Sequence, residues 1–202
     1  MSERHSWNAS LWSNWDQMYR GQFFNSLYGA RSVALLCSQG EVWNAAPVSQ
    51  IIHVGANPPR VGVLMRPNSA KHQSQSNLFR EPWASLHFMP EDHAHRVHQA
   101  SAAYTDHDSE LAILGWDFHP WEDYPAILLK DACLSLCLEV NEVLALQNGT
   151  ALYVFDIHAI ESQGTPDSLG HWPITENILH SQGLDYYGHA VMTHGPLPYA
   201  RP

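Results

Sequence analysis

The chain is short of several things, and each shortage removes a class of function. Only 10 of its 202 residues are Lys or Arg, against 20 Asp or Glu, for a formal net charge of −10. Those cations are scattered, so no basic stripe exists to neutralise phosphates along a nucleic acid. No run of about eighteen apolar residues occurs, so no membrane-spanning helix is expected. Three cysteines cannot form a paired framework. Cys133 and Cys137 lie four apart in a segment of strand character, which would hold their Cα atoms roughly 13 Å apart, beyond bridging distance. There is no G-x-G, hence no dinucleotide fingerprint, and no G-x-S-x-G elbow for a Ser–His–Asp hydrolase. The opening MSERHSWNASLW lacks the apolar core of a secretion signal, and together with unpaired thiols this predicts a cytoplasmic protein.

What remains is material for one well-filled domain. At 202 residues with 45% hydrophobic side chains, the chain can bury most of its apolar surface without staples. Apolar residues spaced by three and four from Ser10 to Leu27, among them Leu11, Trp12, Trp15, Met18 and Phe23, predict one amphipathic helix ended by Gly29. Segments 32–37 and 41–44 predict a hairpin about Gln39-Gly40. Two extended segments between 44 and 66 meet at Asn57-Pro58-Pro59. A short helix over 71–80, a strand over 83–89 and a helix over 93–103 follow. Residues 104–125 predict an excursion across the barrel mouth, because Trp116, Phe118, Trp121 and Tyr124 need burial. The clearest hairpin joins 132–145 to 151–161 through Gln147-Asn148-Gly149-Thr150, where Asn-Gly suits the positive φ angles of a type I′ turn. Its first strand alternates Leu134, Leu136, Leu138 and Val140 with Ser135, Cys137, Glu139 and Asn141, giving one core face and one polar or shared face. Beyond Gly164, Trp172, Tyr186 and Tyr187 predict a tail that packs on the body or on a partner. About six antiparallel strands with two or three peripheral helices make a mainly β fold, a small closed barrel. The whole of 1–202 is expected to form this single domain, with a helix at about 10–28, the barrel at about 32–162 and the tail after it.

The chemistry concentrates between Asn44 and Asn77. A strand ending in Arg66-Pro67 delivers a forked guanidinium beside the first turn of a polar helix, whose unpaired backbone N–H groups favour an anion. The bland alternative for Arg66 is a surface salt bridge, and for Ser74 a helix cap with Asn77 three residues on. Ser69 and Lys71 could reach the same anion. The register of the run is ambiguous, so His72, Ser74 and Ser76 compete for the place nearest to it. The physics points to a site for a phosphorylated ligand. Pro47 limits strand hydrogen bonding, so 44–50 suits an edge or bulge with backbone groups left for a ligand. His93, His95 and His98 do not share one helical face, and no Cys or paired carboxylate completes a set, so no metal site is expected.

Several short motifs in order carry a resemblance. Ala46-Pro47-Val48-Ser49, Pro58-Pro59, Arg66-Pro67 and Gln73-Ser74-Gln75-Ser76-Asn77-Leu78 come first. His98-Gln99-Ala100-Ser101-Ala102-Ala103-Tyr104, Ser109-Glu110-Leu111, Gly183-Leu184-Asp185-Tyr186-Tyr187-Gly188 and Tyr199-Ala200-Arg201-Pro202 come later. Together they resemble the flavin-reductase-like family of FMN-binding split barrels, which usually has Thr where Ser74 stands. The resemblance implies a Greek-key split β-barrel with FMN as cofactor. Asn44, Ala46, Pro47, Val48, Ser49 and Gln50 would wall the flavin, and Arg66, Ser69, Lys71, His72, Ser74 and Asn77 would hold its phosphate end. His98, Gln99, Ala100 and Ser101 would approach it from a second helix start.

The same resemblance implies an NAD(P)H-dependent flavin oxidoreductase that transfers hydride to flavin N5 and passes electrons to a second flavin or another acceptor. No side chain need act as acid or base, since the redox chemistry is the cofactor's own. With no Rossmann crevice, NADH or NADPH would lie loosely over the flavin. A homodimer with flavin near the subunit interface is implied as well. Two alternatives stay open: a flavoredoxin-like FMN-binding electron carrier without efficient NAD(P)H oxidation, and a split barrel that has lost its flavin.

Overall fold

A computed structural model of the chain describes residues 5–67, 73–105, 107–172 and 177–191. In chain order the helices are α1 (Ala9–Trp12), α2 (Gln17–Ser26), α3 (Gln73–Arg80), α4 (Ala94–Gln99) and α5 (Glu110–Ile113), with a 3-10 turn at Glu91–His93. The strands are β1 (Arg31–Ser32), β2 (Ala34–Gln39), β3 (Trp43–Val48), β4 (Ile51–Ala56), β5 (Pro59–Met65) and β6 (Trp83–Phe88). After them come β7 (Phe118–Pro120), β8 (Ile127–Leu129), β9 (Leu134–Ala145), β10 (Ala151–Ser162), β11 (His180–Gln182) and β12 (Tyr186–Gly188).

Seven strands, one more than the sequence suggests, form an antiparallel sheet in the order β3-β2-β6-β9-β10-β5-β4. Its two outer strands, β3 and β4, are consecutive in the chain and separated only by Ser49-Gln50. That link brings the ends of the ladder together, and the Leu64 N–H donates to the Gln50 carbonyl at 3.0 Å. The sheet therefore curls into a split barrel. Ala34, Leu36, Val63, Leu86, Leu138 and Phe155 fill its interior, all fully buried. On the other face of β2, Leu35 and Cys37 meet a second layer built from Met89, Val97, Leu111, Trp116 and Ile127. Burial on both faces is why Ala34-Leu35-Leu36-Cys37 is an unbroken apolar run.

The long hairpin β9–β10 follows its alternation, with Leu136 and Leu138 in the barrel and Ser135 and Cys137 buried on the opposite face. Its turn differs from expectation. Gly149 takes φ +82° while Asn148 stays at negative φ, so the loop is not type I′. Gly149 N–H closes on the Leu146 carbonyl at 2.9 Å, and Leu146 N–H on the Thr150 carbonyl at 2.8 Å. A turn followed by one left-handed glycine suits this longer loop, and only the glycine position needs the positive φ.

Other boundaries also move. The single helix expected over 10–27 is two, because the Asp16 carboxylate accepts from the Met18 and Tyr19 N–H groups at 2.9 and 3.1 Å and starts α2 afresh. Residues 44–48 pair with β2, and the hairpin at the cis Asn57-Pro58 bond joins β4 to β5. The helix expected over 93–103 ends at Gln99. Residues 107–125 contain α5 and β7 and rest on the outer layer through Leu111 and Trp116, whereas Phe118, expected to be buried, is exposed because all three residues of β7 face solvent. Trp116 is 4% exposed, stacks on His93 at 5.1 Å and lies under the Arg96 guanidinium at 3.6 Å. Tyr124 meets Trp83 at 5.8 Å and His158 at 6.0 Å. In the tail, β11 and β12 join β1 in a three-stranded sheet. Among the described residues no helix is long and apolar enough to cross a membrane.

Candidate functional site

The first turn of α3 is where polar groups converge. Ser74, Asn77 and Leu78 share one helical face and are buried, with Leu78 reaching the barrel core. The Ser74 hydroxyl donates to Asn44 Oδ1 at 2.8 Å. Asn44 Nδ2 donates to Glu110 Oε1 at 3.0 Å and to Gln73 Oε1 at 3.2 Å. The other Glu110 oxygen accepts from the Ala45 N–H at 3.0 Å. Gln75 Nε2 donates to the Arg66 carbonyl at 2.6 Å, and Gln73 Nε2 to the Thr105 carbonyl at 2.6 Å. Asn77 Nδ2 donates to Ser38 Oγ at 3.3 Å, and Asn77 Oδ1 lies where a Cβ on Gly40 would come within 2.6 Å. The end of β5 and the starts of β3, α3 and α5 are thus tied into one polar knot.

Glu110 is the charged member of that knot and is 5% exposed. Burial pushes its carboxyl above the ordinary range. The N–H of Ala45, its own backbone N–H and the Asn44 amide pull the other way, and the Asp108 charge adds to the rise. Its neighbour on β2, the Cys37 thiol, is pushed far up by burial and by the Glu110 charge, so it stays a thiol.

β3 is an edge of the sheet. Its outward groups at Trp43 and Ala45 are taken by the α5 start, where the Ser109 hydroxyl donates to the Trp43 carbonyl at 2.7 Å. Beyond them the outer edge at Pro47 and Ser49 meets no neighbouring strand of the sheet among the described residues, and Pro47 has no N–H to offer. An isoalloxazine needs backbone donors and acceptors along one edge and apolar surface along the other. The half-buried run from Ala46 to Gln50 supplies both kinds of surface. The exposed side chain of Arg66 and the first turn of α3 supply donors of the type a phosphate takes. In chemistry, the residues present fit FMN.

The expected site residues divide into three groups. Asn44, Ala46, Pro47, Val48, Ser49, Gln50, Arg66, Ser74 and Asn77 belong to the strand and helix ends that meet at this knot. Ser69, Lys71 and His72 lie outside the described residues, as does the Tyr199-Ala200-Arg201-Pro202 motif. Of the competitors for the phosphate, Ser76 is exposed and Ser74 is buried with its proton directed at Asn44. His98, Gln99, Ala100 and Ser101 lie at the carboxyl end of α4, not at a helix start, because α4 begins at Ala94 and spans only six residues. His98 Nδ1 is 3.0 Å from the Tyr187 hydroxyl, Gln99 Nε2 is 3.4 Å from the Tyr104 hydroxyl, Ala100 is buried in the outer layer, and the Ser101 hydroxyl donates to the His98 carbonyl at 2.7 Å. That run reaches the knot only along the chain, through Tyr104-Thr105 and the Gln73 bond. Reasoning from the sequence gave no role to Gln73, Gln75 or Glu110, although all three stand in motifs that carry the resemblance; for the last the signal was Ser109-Glu110-Leu111.

No protein-family model and no curated protein matches the sequence. Solved structures do. A protein from Shewanella frigidimarina, described as a flavin reductase with a split barrel domain, superposes with a TM-score of 0.91 at 25% identity, covering 98% of this chain and 100% of that one. Nitrilotriacetate monooxygenase component B from Bacillus cereus gives 0.82 at 14% identity, over 97% of this chain and 100% of that one. An FMN-binding protein from Thermus thermophilus gives 0.70 at 21% identity, over 85% and 93%. The chain has the flavin-reductase-like split-barrel fold that its motifs resemble.

Proposed function

We propose that the protein binds FMN between the free edge of β3, Arg66 and the first turn of α3, and works as an NAD(P)H-dependent flavin oxidoreductase. The observation that carries this reading is the knot that ties two strand ends, at Asn44 and Arg66, to the helix start at Ser74 and Gln75. Arg66 holds the phosphate through charge-assisted N–H donation, and the α3 N–H groups add the helix dipole. The β3 edge orients the ring, and backbone N–H groups facing it stabilise the negative charge that reduction adds. When bound, the flavin supplies the redox chemistry, taking two electrons as hydride from a nicotinamide and passing them to an acceptor. The chain's part is to leave one ring face open to within roughly 3–3.5 Å of the donor. Of Trp116, Phe118 and Trp121, the rings able to cover a flavin, Trp116 is engaged with His93 and Arg96, and Trp121 with Tyr124, which rests on Trp83 and His158; their packing supports an open face, while Phe118 is exposed on β7. A homodimer completes the reading: neither α1 nor α2 buries a residue, while Trp12, Phe23 and Phe24 on them gather with Trp15 from the turn between.

The test is titration with FMN and riboflavin, followed by anaerobic mixing with NADH or NADPH. FMN is expected to bind clearly more tightly, the phosphate bonds contributing about 1.5–3 kcal/mol each. Equal affinities overturn the phosphate site. Flavin bleaching within seconds supports the reductase; reduction by dithionite but by neither nucleotide leaves an electron carrier. Light scattering that gives the monomer mass with FMN present removes the dimer.

A further inference from the structure

The knot holds a buried carboxylate that the proposed chemistry does not use. Glu110 opens α5 and is nine-tenths buried, yet no lysine or arginine acts on it among the described residues. Its two oxygens accept from the Asn44 amide and from the Ala45 N–H. An ionised carboxylate can only accept hydrogen bonds. Asn44 must therefore turn its NH2 toward Glu110, which leaves Oδ1 toward Ser74 to take the hydroxyl proton. With that proton committed, the Ser74 oxygen is held in one orientation at the start of the helix. The second Glu110 oxygen pins the strand at Ala45, one residue before the run that would wall the flavin.

We infer that Glu110 is a positioning residue for the cofactor site: its carboxylate fixes the Asn44 amide, and through it the Ser74 hydroxyl and the register of β3, in the arrangement that receives FMN. This rests on the FMN reading above. The polarity of the chain from Glu110 through Asn44 to Ser74 is determined by the charge at its far end. A protonated or amidated side chain at 110 can also donate, so the Asn44 amide loses its reason to keep one orientation. Both ends of the relay are buried, so water cannot easily replace the lost preference. The groups facing Glu110 are the Cys37 thiol from β2, the Asn44 amide and Ala45 N–H from β3, Gln73 and Ser74 from α3 through Asn44, and Asp108 from the segment that precedes α5. Asp108 and the buried setting favour protonation, so the ionised form is held by its hydrogen bonds and is lost at a higher pH than an ordinary glutamate would be.

The experiment titrates FMN into wild type and Glu110→Gln between roughly pH 5 and pH 8, with the unfolding midpoint of each apo protein measured alongside. The variant is expected to unfold at or above the wild-type midpoint at pH 7 while binding FMN at least about tenfold more weakly, the scale of a hydrogen bond to a charged group. Wild-type affinity is expected to fall on acidification in two steps, one that of the FMN phosphate itself, measured on free FMN, and one that the variant lacks. Equal affinities, or weaker binding matched by a lower midpoint, overturn the positioning role. If Glu110→Gln does not fold, the wild-type profile decides alone: a single step, the phosphate's own, overturns the inference. Failure of wild type to bind FMN overturns the functional reading and this inference together, whereas FMN binding indifferent to residue 110 overturns only the inference.

Discussion

Two buried polar clusters flank β2, and they are built to opposite rules. On the side of β6 and β9, His87 is fully buried, with Nδ1 2.8 Å from Ser135 Oγ and Nε2 2.8 Å from Ser85 Oγ. Each ring nitrogen has a hydroxyl that can donate or accept, so a neutral imidazole is satisfied completely, and burial lowers its pKa to about 3. That cluster is closed: all its members sit on two paired strands. On the side of β3, Glu110 is also buried, but its hydrogen bonds lead through Asn44 to Ser74 and the start of α3. A buried titratable group argues for function when its bonds end where a ligand can sit, and for structure when they end on themselves.

The two clusters also answer pH in opposite directions. A neutral buried His87 lets the unfolded chain bind a proton that the folded one refuses, so its stabilising share is whole above about pH 6.5 and is lost as pH falls toward about 3. Glu110 has a raised carboxyl, so its share is whole below the ordinary glutamate value and is lost as pH rises through the raised one. The largest effect expected is therefore acid destabilisation through His87, on the order of 5 kcal/mol between those limits. Urea unfolding across that range is expected to show this slope in wild type and to lack it in His87→Gln, whose FMN affinity at pH 7 stays unchanged. An identical slope in the variant would break the closed-cluster half of the comparison.

Next in size is the ligand end of the open cluster. Arg66 is exposed, and its guanidinium enters none of the salt bridges found among the described residues, so Arg66→Ala is expected to leave the unfolding midpoint in place. FMN binding should weaken by about 1.5–3 kcal/mol, with riboflavin unaffected. Equal weakening of both ligands would move the phosphate away from Arg66. A smaller change is expected at Gly40, where an added Cβ would come 2.6 Å from Asn77 Oδ1 and force that side chain off Ser38. Gly40→Ala should cost about 1–2 kcal/mol of stability, read by thermal unfolding. A variant as stable as wild type would mean that Asn77 is free to move.

How much of this was legible follows from the range of each signal. β6 and β9 are plain in the sequence because a period of two survives in any tertiary setting, as Leu134 to Asn141 demonstrate, and β2 is plain as a short apolar run bounded by a turn signal. Arg66 and Ser74 are legible because each stands at the end of such an element. The turn at Asn148-Gly149 is not, since the number of residues between the last paired positions decides which of them takes positive φ. Asp16 carries a capping signature, but the apolar spacing runs on through it and hides the break between α1 and α2. The end of α4 is lost for a related reason: a 3-10 turn precedes Ala94, and the Ser101 hydroxyl bonds back to the His98 carbonyl just beyond the last turn. Glu110 is visible locally as part of Ser109-Glu110-Leu111, but its role is not, because its partner Asn44 is 66 residues away.

The smallest effect separates the open cluster from the aromatic stretch around it. Glu110 and Trp121 lie in the same segment between Tyr104 and Pro125, so if that segment moved as a lid, both would report on its motion. The contacts argue otherwise. Trp121 is half-buried, its ring meets Tyr124 edge-on at 6.3 Å, and its N–H donates to the Ala126 carbonyl at 2.9 Å. Tyr124 is held in turn by Trp83 and His158 on the sheet. Trp121→Ala removes one edge-on aromatic pair and should cost about 0.5–1.5 kcal/mol of stability. Because that pair packs on the sheet and not on the knot, the rate of flavin bleaching by NADH in anaerobic stopped flow is expected to stay within about twofold of wild type. A tenfold change with little loss of stability would make the stretch a lid. Glu110 would then be read as part of a moving element, and its bond to Asn44 as one that forms and breaks with closure.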